Sequence, residues 1–175
     1  APSACPDGNG GVITLFNMNP GKPTNGWNQI MSLPRRLTVK GDDLYQEPAG
    51  NLESLRSDHC HIDHTILPAN KEIVFDKGNG NSMEIILETE ANSAPMIELN
   101  VLRAPKREEL TRIAFYRERG YRQILSDGRR NRTEPRASLI TIDNSHSSTA
   151  PDVLSRAPET APVLIRSDEN LVLRI

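Results

Sequence analysis

The chain has 175 residues, 36% hydrophobic and 25% charged, which predicts one domain, or one domain with a small remnant of a second. Its 21 basic and 23 acidic residues leave a net charge of −2, too little to gather nucleic acid, and no run nears the roughly 18 apolar residues that a membrane span requires. The sequence therefore predicts a soluble chain without nucleic-acid or membrane partners and with no leader after Ala1, and both secreted and cytoplasmic locations fit it.

Short apolar runs separated by Gly, Pro, Asn and Asp predict strands at 12–16, 28–32, 36–39, 62–67, 72–75 and 83–87. In the next run, 96–102, Ile97, Leu99 and Val101 alternate with Met96, Glu98, Asn100 and Leu102, the period of two of a half-buried strand with its odd-numbered side inward. Further strands are predicted at 111–116, 122–125, 138–142, 163–165 and 171–175. Turn residues at Gly41-Asp42-Asp43, at 77–81 and at Ser126-Asp127-Gly128 punctuate them.

Helical signals are confined to a turn or two at 51–56, and the charged stretch 107–110 reads as a hairpin loop. Thirteen prolines deny the chain long helices and blunt exposed strand edges, and 155–162 reads as an extended connection. The arginine-rich stretch 117–136, interrupted by Glu118, Asp127 and Glu134, reads as a solvated hairpin face. The expected fold class is all-β, with a change of fold unit near Arg56. The final alternation, Leu171-Val172-Leu173-Arg174-Ile175, stops without a polar tail and suggests a fragment or one piece of a cleaved protein.

Three of the four histidines fall in Asp58-His59-Cys60-His61-Ile62-Asp63-His64. Imidazole and thiolate suit zinc or copper, but structural zinc sites draw on two separated ligand pairs, and His146 stands alone. A polar strand entrance is the simpler reading. Two cysteines, Cys5 and Cys60, are too few for a disulfide scaffold, and a single bridge between them stays open.

Glu108 and Glu109 are adjacent, so on an extended segment they point apart, and a shared acid/base site is not expected. Ser145-His146-Ser147-Ser148 sets an imidazole beside hydroxyls, but a triad depends on folded geometry, and a turn is the simpler reading. No phosphate-cradling glycine motif is present, and Asn131-Arg132-Thr133 is a glycosylation sequon of use only in a secreted eukaryotic chain.

The run Gly26-Trp27-Asn28-Gln29-Ile30-Met31-Ser32-Leu33-Pro34-Arg35-Arg36-Leu37-Thr38, followed by Gln46-Glu47-Pro48 and Glu53-Ser54-Leu55-Arg56, resembles glycoside hydrolase family 32, whose invertases, levanases and inulinases cleave β-fructofuranosides. Glu109-Leu110-Thr111-Arg112-Ile113, Ser147-Ser148 and the segment from Asp152 to Pro162 are similar to later parts of the same family. The resemblance implies the last blade of a five-bladed propeller at 1–50, a linker at 51–57 and a β-sandwich, incomplete at its end, at 58–175.

The family's Asn-Asp-Pro-Asn, Arg-Asp-Pro and Glu-Cys motifs, which carry nucleophile, stabiliser and acid/base, are absent, and Asn17-Met18-Asn19-Pro20-Gly21 offers an amide where a carboxylate is needed. The resemblance thus implies part of a retaining β-fructofuranosidase acting on sucrose or fructans, with no catalytic, metal or cofactor residue in this portion. A companion polypeptide would carry the rest of the catalytic domain, and self-association through strand edges is the other expectation for partners. The alternative is a stand-alone β-sandwich that binds carbohydrate or serves structure without catalysis.

Overall fold

The computed structural model describes residues 2–19, 21–41, 43–90, 93–120, 137–154, 157–163, 165 and 168–175. Among them the protein is all-β: antiparallel sheets, one 3-10 turn and no α-helix. The predicted strand 122–125, the turn at 126–128, the sequon and most of the arginine-rich stretch lie outside the described residues. The chain divides into two compact units, residues 1–78 and 79–175.

In the first unit, β1 (Ser3–Pro6), β2 (Val12–Leu15), β5 (Arg35–Lys40) and β6 (Asp43–Pro48) form a four-stranded sheet in that order. β3 (Asn17–Met18) and β4 (Ile30–Met31) make a short ribbon between β2 and β5. The ribbon and the sheet belong to one long hairpin with a break. Pro34 has no N–H to extend the ladder, and at the break the Ser32 hydroxyl takes over, accepting the Phe16 N–H at 3.1 Å while Ser32 N donates to Phe16 O at 2.8 Å. Lys40 pairs with Asp43 across a two-residue connection opened by Gly41, whose φ of 63° suits the turn that a twisted hairpin needs.

Antiparallel partners share a face, so Val12, Leu37, Val39 and Leu44 lie on one side of this sheet and Ile13, Arg36 and Glu47 on the other. None of the large apolar side chains described in this unit is buried; Val39 and Leu44, directly opposite one another, are 69% and 68% exposed. A 3-10 turn, Leu52–Leu55, follows β6 with Asn51 as its N-cap, where the sequence predicts one.

In the second unit, β8 (Met96–Val101), β9 (Thr111–Tyr116), β10 (Ser138–Asp143) and β11 (Glu159–Val163) form a four-stranded sheet in sequential order. β7 (Ile86–Thr89) and β12 (Leu171–Arg174) form a second, two-stranded sheet. The two sheets share one core: Ile113 and Phe115 from the larger cluster with Leu171 and Leu173 from the smaller, and Leu87, Ile97, Val101, Ile140, Val163 and Ile165 pack around them. Ile97, Phe115 and Ile140 sit opposite one another on three adjacent strands, and Phe115 is fully buried. Burying one such ring is worth about 1.5–3 kcal/mol, which makes this stack the centre of the unit.

Among the described residues, the strand prolines fall on sheet edges: Pro6 on β1, Pro48 on β6 and Pro162 on β11. An edge strand has one side without ladder bonds, so the missing N–H costs nothing there, and it discourages further pairing.

Two predicted strands are corrected. Residues 62–67 and 72–75 carry no strand; the turn between them exists, with Lys71 N donating to Pro68 O at 3.2 Å, but the arms do not ladder. Strand preference reflects the fit of a side chain to a half-buried pleat, and Ile66, Leu67, Val74 and Phe75 have no cover here, being 44–79% exposed. The extended connection at 155–162 instead enters β11, which pairs with β10. Neither β1 nor β6 is predicted from the sequence, since Ser3-Ala4-Cys5-Pro6 and Asp43-Leu44-Tyr45-Gln46-Glu47-Pro48 do not alternate clearly; their partners define them.

Candidate functional site

The two sequence pieces Leu33-Pro34-Arg35 and Gln46-Glu47-Pro48, separated along the chain, come together across the β5–β6 ladder, where Arg35 pairs with Pro48, Arg36 with Glu47 and Leu37 with Gln46. They line a shallow cleft of about 260 Å³. Pro34 O accepts the Ala49 N–H at 2.9 Å and closes its floor, while the Arg35 guanidinium lies 5.7 Å from the Phe16 ring centre, a cation–π distance. The cleft offers a guanidinium, an amide and a carboxylate beside proline and leucine surface, a set that can hydrogen-bond hydroxyls and cover C–H groups. It holds one carboxylate, so the paired acid and nucleophile of glycoside hydrolysis have no place in it.

Behind the cleft, Arg36 joins three elements. Its guanidinium meets Asp7 at the end of β1 and approaches Glu47 Oε1 at 3.6 Å. Asp7 Oδ1 also accepts the backbone N–H groups of Asn9 and Gly11 at 2.7 and 2.8 Å, so both carboxylate oxygens are engaged. These contacts, the Arg36 side-chain bond foremost, hold the Asp7 carboxyl at about 2, and Asp7 in turn raises the Arg36 pKa. Asp7 is a residue that sequence reasoning missed. Its only local signal is a glycine-rich turn, and nothing nearby in the chain marks Arg36 as its partner.

The residues singled out from the sequence are dispersed. Asp58 to His64 is exposed and without regular secondary structure, with His61 Nε2 3.6 Å from Asp63 Oδ1. Among the described residues no three His, Cys, Asp or Glu side chains gather as a metal site, and Cys5 and Cys60 are both free and exposed. Asn19 makes a local turn, its Oδ1 accepting Gly21 N at 3.0 Å; Pro20 lies outside the described residues.

Glu109 serves structure. Its Oε1 accepts the Thr149 N–H at 2.8 Å and the Thr149 hydroxyl at 3.1 Å, which lowers its pKa and ties the β8–β9 loop to the loop after β10. In the 145–148 segment, Asp143 Oδ1 accepts both the N–H and the hydroxyl of Ser145, chiefly the hydroxyl, and its pKa falls accordingly. The Ser147 hydroxyl meets Thr111 Oγ1 at 2.7 Å, and His146 contributes its backbone carbonyl to Leu110 N. The Ser148 hydroxyl accepts the Ala150 N–H at 3.2 Å, so all three serine hydroxyls of this segment are engaged in local structural hydrogen bonds.

No helix among the described residues is long and apolar enough to cross a membrane. No protein-family model matches the chain.

Proposed function

We propose that this chain is the part of a retaining β-fructofuranosidase that completes a propeller and supplies a β-sandwich, while a companion polypeptide brings the carboxylates that cleave sucrose or fructans. The run from Gly26 to Thr38 with Gln46-Glu47-Pro48 carries this reading, and the pairing of its two pieces across one ladder supports treating them as a single local unit. The sequential four-stranded antiparallel order β1-β2-β5-β6 is that of a propeller blade, and the exposure of Val39 and Leu44 suits a sheet that rests against a neighbour. The two sheets of the second unit, packed on one core, suit a sandwich.

In this reading the protein has no catalytic role of its own. Retaining hydrolysis needs two carboxyl groups roughly 5 Å apart, one protonating the leaving oxygen and one attacking the sugar carbon. The prominent carboxylates here are spent on Arg36, on the Thr149 backbone and on Ser145. No metal or cofactor is required.

The test is fructose release from sucrose and levan by material whose intact mass spectrum establishes which polypeptides are present. Release only with a heavier companion beside the 19.5 kDa chain is the expected result. Release by this chain alone overturns the assignment. A second reading, a carbohydrate-binding or structural module without catalysis, draws on the second unit having its own buried core; retention of the folded lone chain on immobilised levan, with no release under any pairing, would favour it.

A further inference from the structure

Asparagine followed by glycine occurs three times, at Asn9-Gly10, Asn25-Gly26 and Asn79-Gly80. At such a pair the glycine backbone nitrogen, unhindered by a Cβ, can attack the carbonyl carbon of the asparagine side chain. A new carbon–nitrogen bond forms, the one to the amide nitrogen breaks, and ammonia leaves with the proton from the backbone nitrogen. Water then opens the cyclic imide at either carbonyl and gives aspartate or isoaspartate. The balance is one water consumed and one ammonia released, with no redox partner.

The local structure separates the first two of these dipeptides, which the sequence presents as equal. Gly10 and Gly26 have the same φ of 82°, so the glycine conformation does not distinguish them. The surroundings of the asparagines do. Asp7 Oδ1 takes the N–H of Asn9 and the N–H of Gly11 on either side of the reacting peptide, and Arg36 Nη2 donates to Asn9 O at 3.4 Å. Ring closure requires rotation about the Asn9 backbone, and that rotation breaks these bonds together. Asp7 is itself fixed by Arg36, so the loop cannot follow the motion cheaply.

Asn25 and Gly26 are both exposed in the connection between β3 and β4. The hydrogen bond there runs from the Thr24 hydroxyl to Trp27 O, so it brackets the pair through a rotatable side chain and leaves the Asn25 amide unheld. Asn79 has an interaction of its own.

We propose that Asn25 is a site of spontaneous imide formation and deamidation in the folded protein, and that the Asp7 clamp protects Asn9. The product carries a new carboxylate two residues before Trp27, which is 50% exposed, and in the isoaspartyl form an extra methylene in the backbone. The modification therefore alters charge and backbone direction in the loop that presents the largest exposed aromatic of the first unit.

The experiment incubates the full-length protein at mildly alkaline pH, native and in urea, and cleaves it with chymotrypsin after Phe16 and Trp27, so that Asn9 and Asn25 fall on different peptides for mass spectrometry. Conversion of Asn25 several-fold faster than Asn9 in the native protein, with the two rates converging in urea, is expected. Asp7→Ala should raise the Asn9 rate towards that of Asn25 and leave Asn25 unchanged; should that variant lose its sheet by circular dichroism, Arg36→Lys asks the same question. Equal native rates, a faster Asn9, or an Asn9 rate indifferent to loss of the clamp would overturn the proposal.

Discussion

The Asp7 carboxylate and the Arg36 guanidinium, far apart in sequence, meet at the point where the β1–β2 loop crosses β5, with the Asp7 side chain only 7% exposed. The pair does for the loop what a ladder does for strands. It fixes one end of a hairpin to the body of its sheet, and Glu47 on the neighbouring strand extends the attachment to β6.

Acid should loosen this attachment. Asp7 has a carboxyl held at about 2 against an ordinary 3.8, so its stabilising effect is fully present above the ordinary value and is lost as pH falls through 2. Protection of the Asn9 and Gly11 amides, taken relative to their intrinsic exchange rates, should fall between about pH 4 and 2, and in Asp7→Ala it should be low throughout and lack that step.

Gly11→Ala should destabilise the first unit by about 1–3 kcal/mol, as overpacking does. A Cβ at Gly11 would lie 2.7 Å from Asp7 Oδ2 and 3.0 Å from the Leu37 backbone oxygen; the carboxylate can swing away only by leaving Arg36, and the backbone cannot move alone. Urea denaturation followed by Trp27 fluorescence reads this loss. A midpoint identical to that of the unaltered protein would contradict it.

In the second unit, Phe115→Ala should cost about 3–5 kcal/mol. The ring is wholly buried between Ile97 and Ile140 on adjacent strands and lies beneath the Arg117 guanidinium, 5.4 Å from its centre, so truncation leaves a cavity and strands a cation. Loss of the far-ultraviolet β signal at lower urea is the expected readout.

Glu109→Ala should release the β8–β9 loop without altering the core. Thr149 loses the acceptor for its N–H and its hydroxyl, and its amide should exchange faster while those of β9 stay protected. Since the Glu109 pKa is lowered, its contribution is present above the ordinary glutamate range and lost as pH falls below it, so acid should reproduce the variant's effect on Thr149.

Part of this architecture was legible residue by residue. The alternation of Ile97, Leu99 and Val101 fixed the inward side of β8, and the predicted strand 111–116 coincides with β9. At 62–67 and 72–75 the same apolar content misled, because it promises a strand only where another strand and a covering layer exist. The cleft was half legible: its lining residues stood out in the sequence, but their meeting depends on a hairpin whose second strand, β6, has no clear pattern. Glu109 lies in the loop where the sequence placed it, while its hold on Thr149 had no sequence signal.

The sequence by itself determined the class: frequent prolines, glycine-rich turns and period-two apolar runs exclude long helices and require short strands, since these are properties of a few neighbouring residues. Only the tertiary structure decided which strands meet. Ile86 pairs with Arg174, and Leu171 and Leu173 close over Phe115, through contacts whose partners lie at opposite ends of the second unit. Local preference can make a segment extended, but the hydrogen bonds and apolar burial that keep it extended come from residues remote in the sequence.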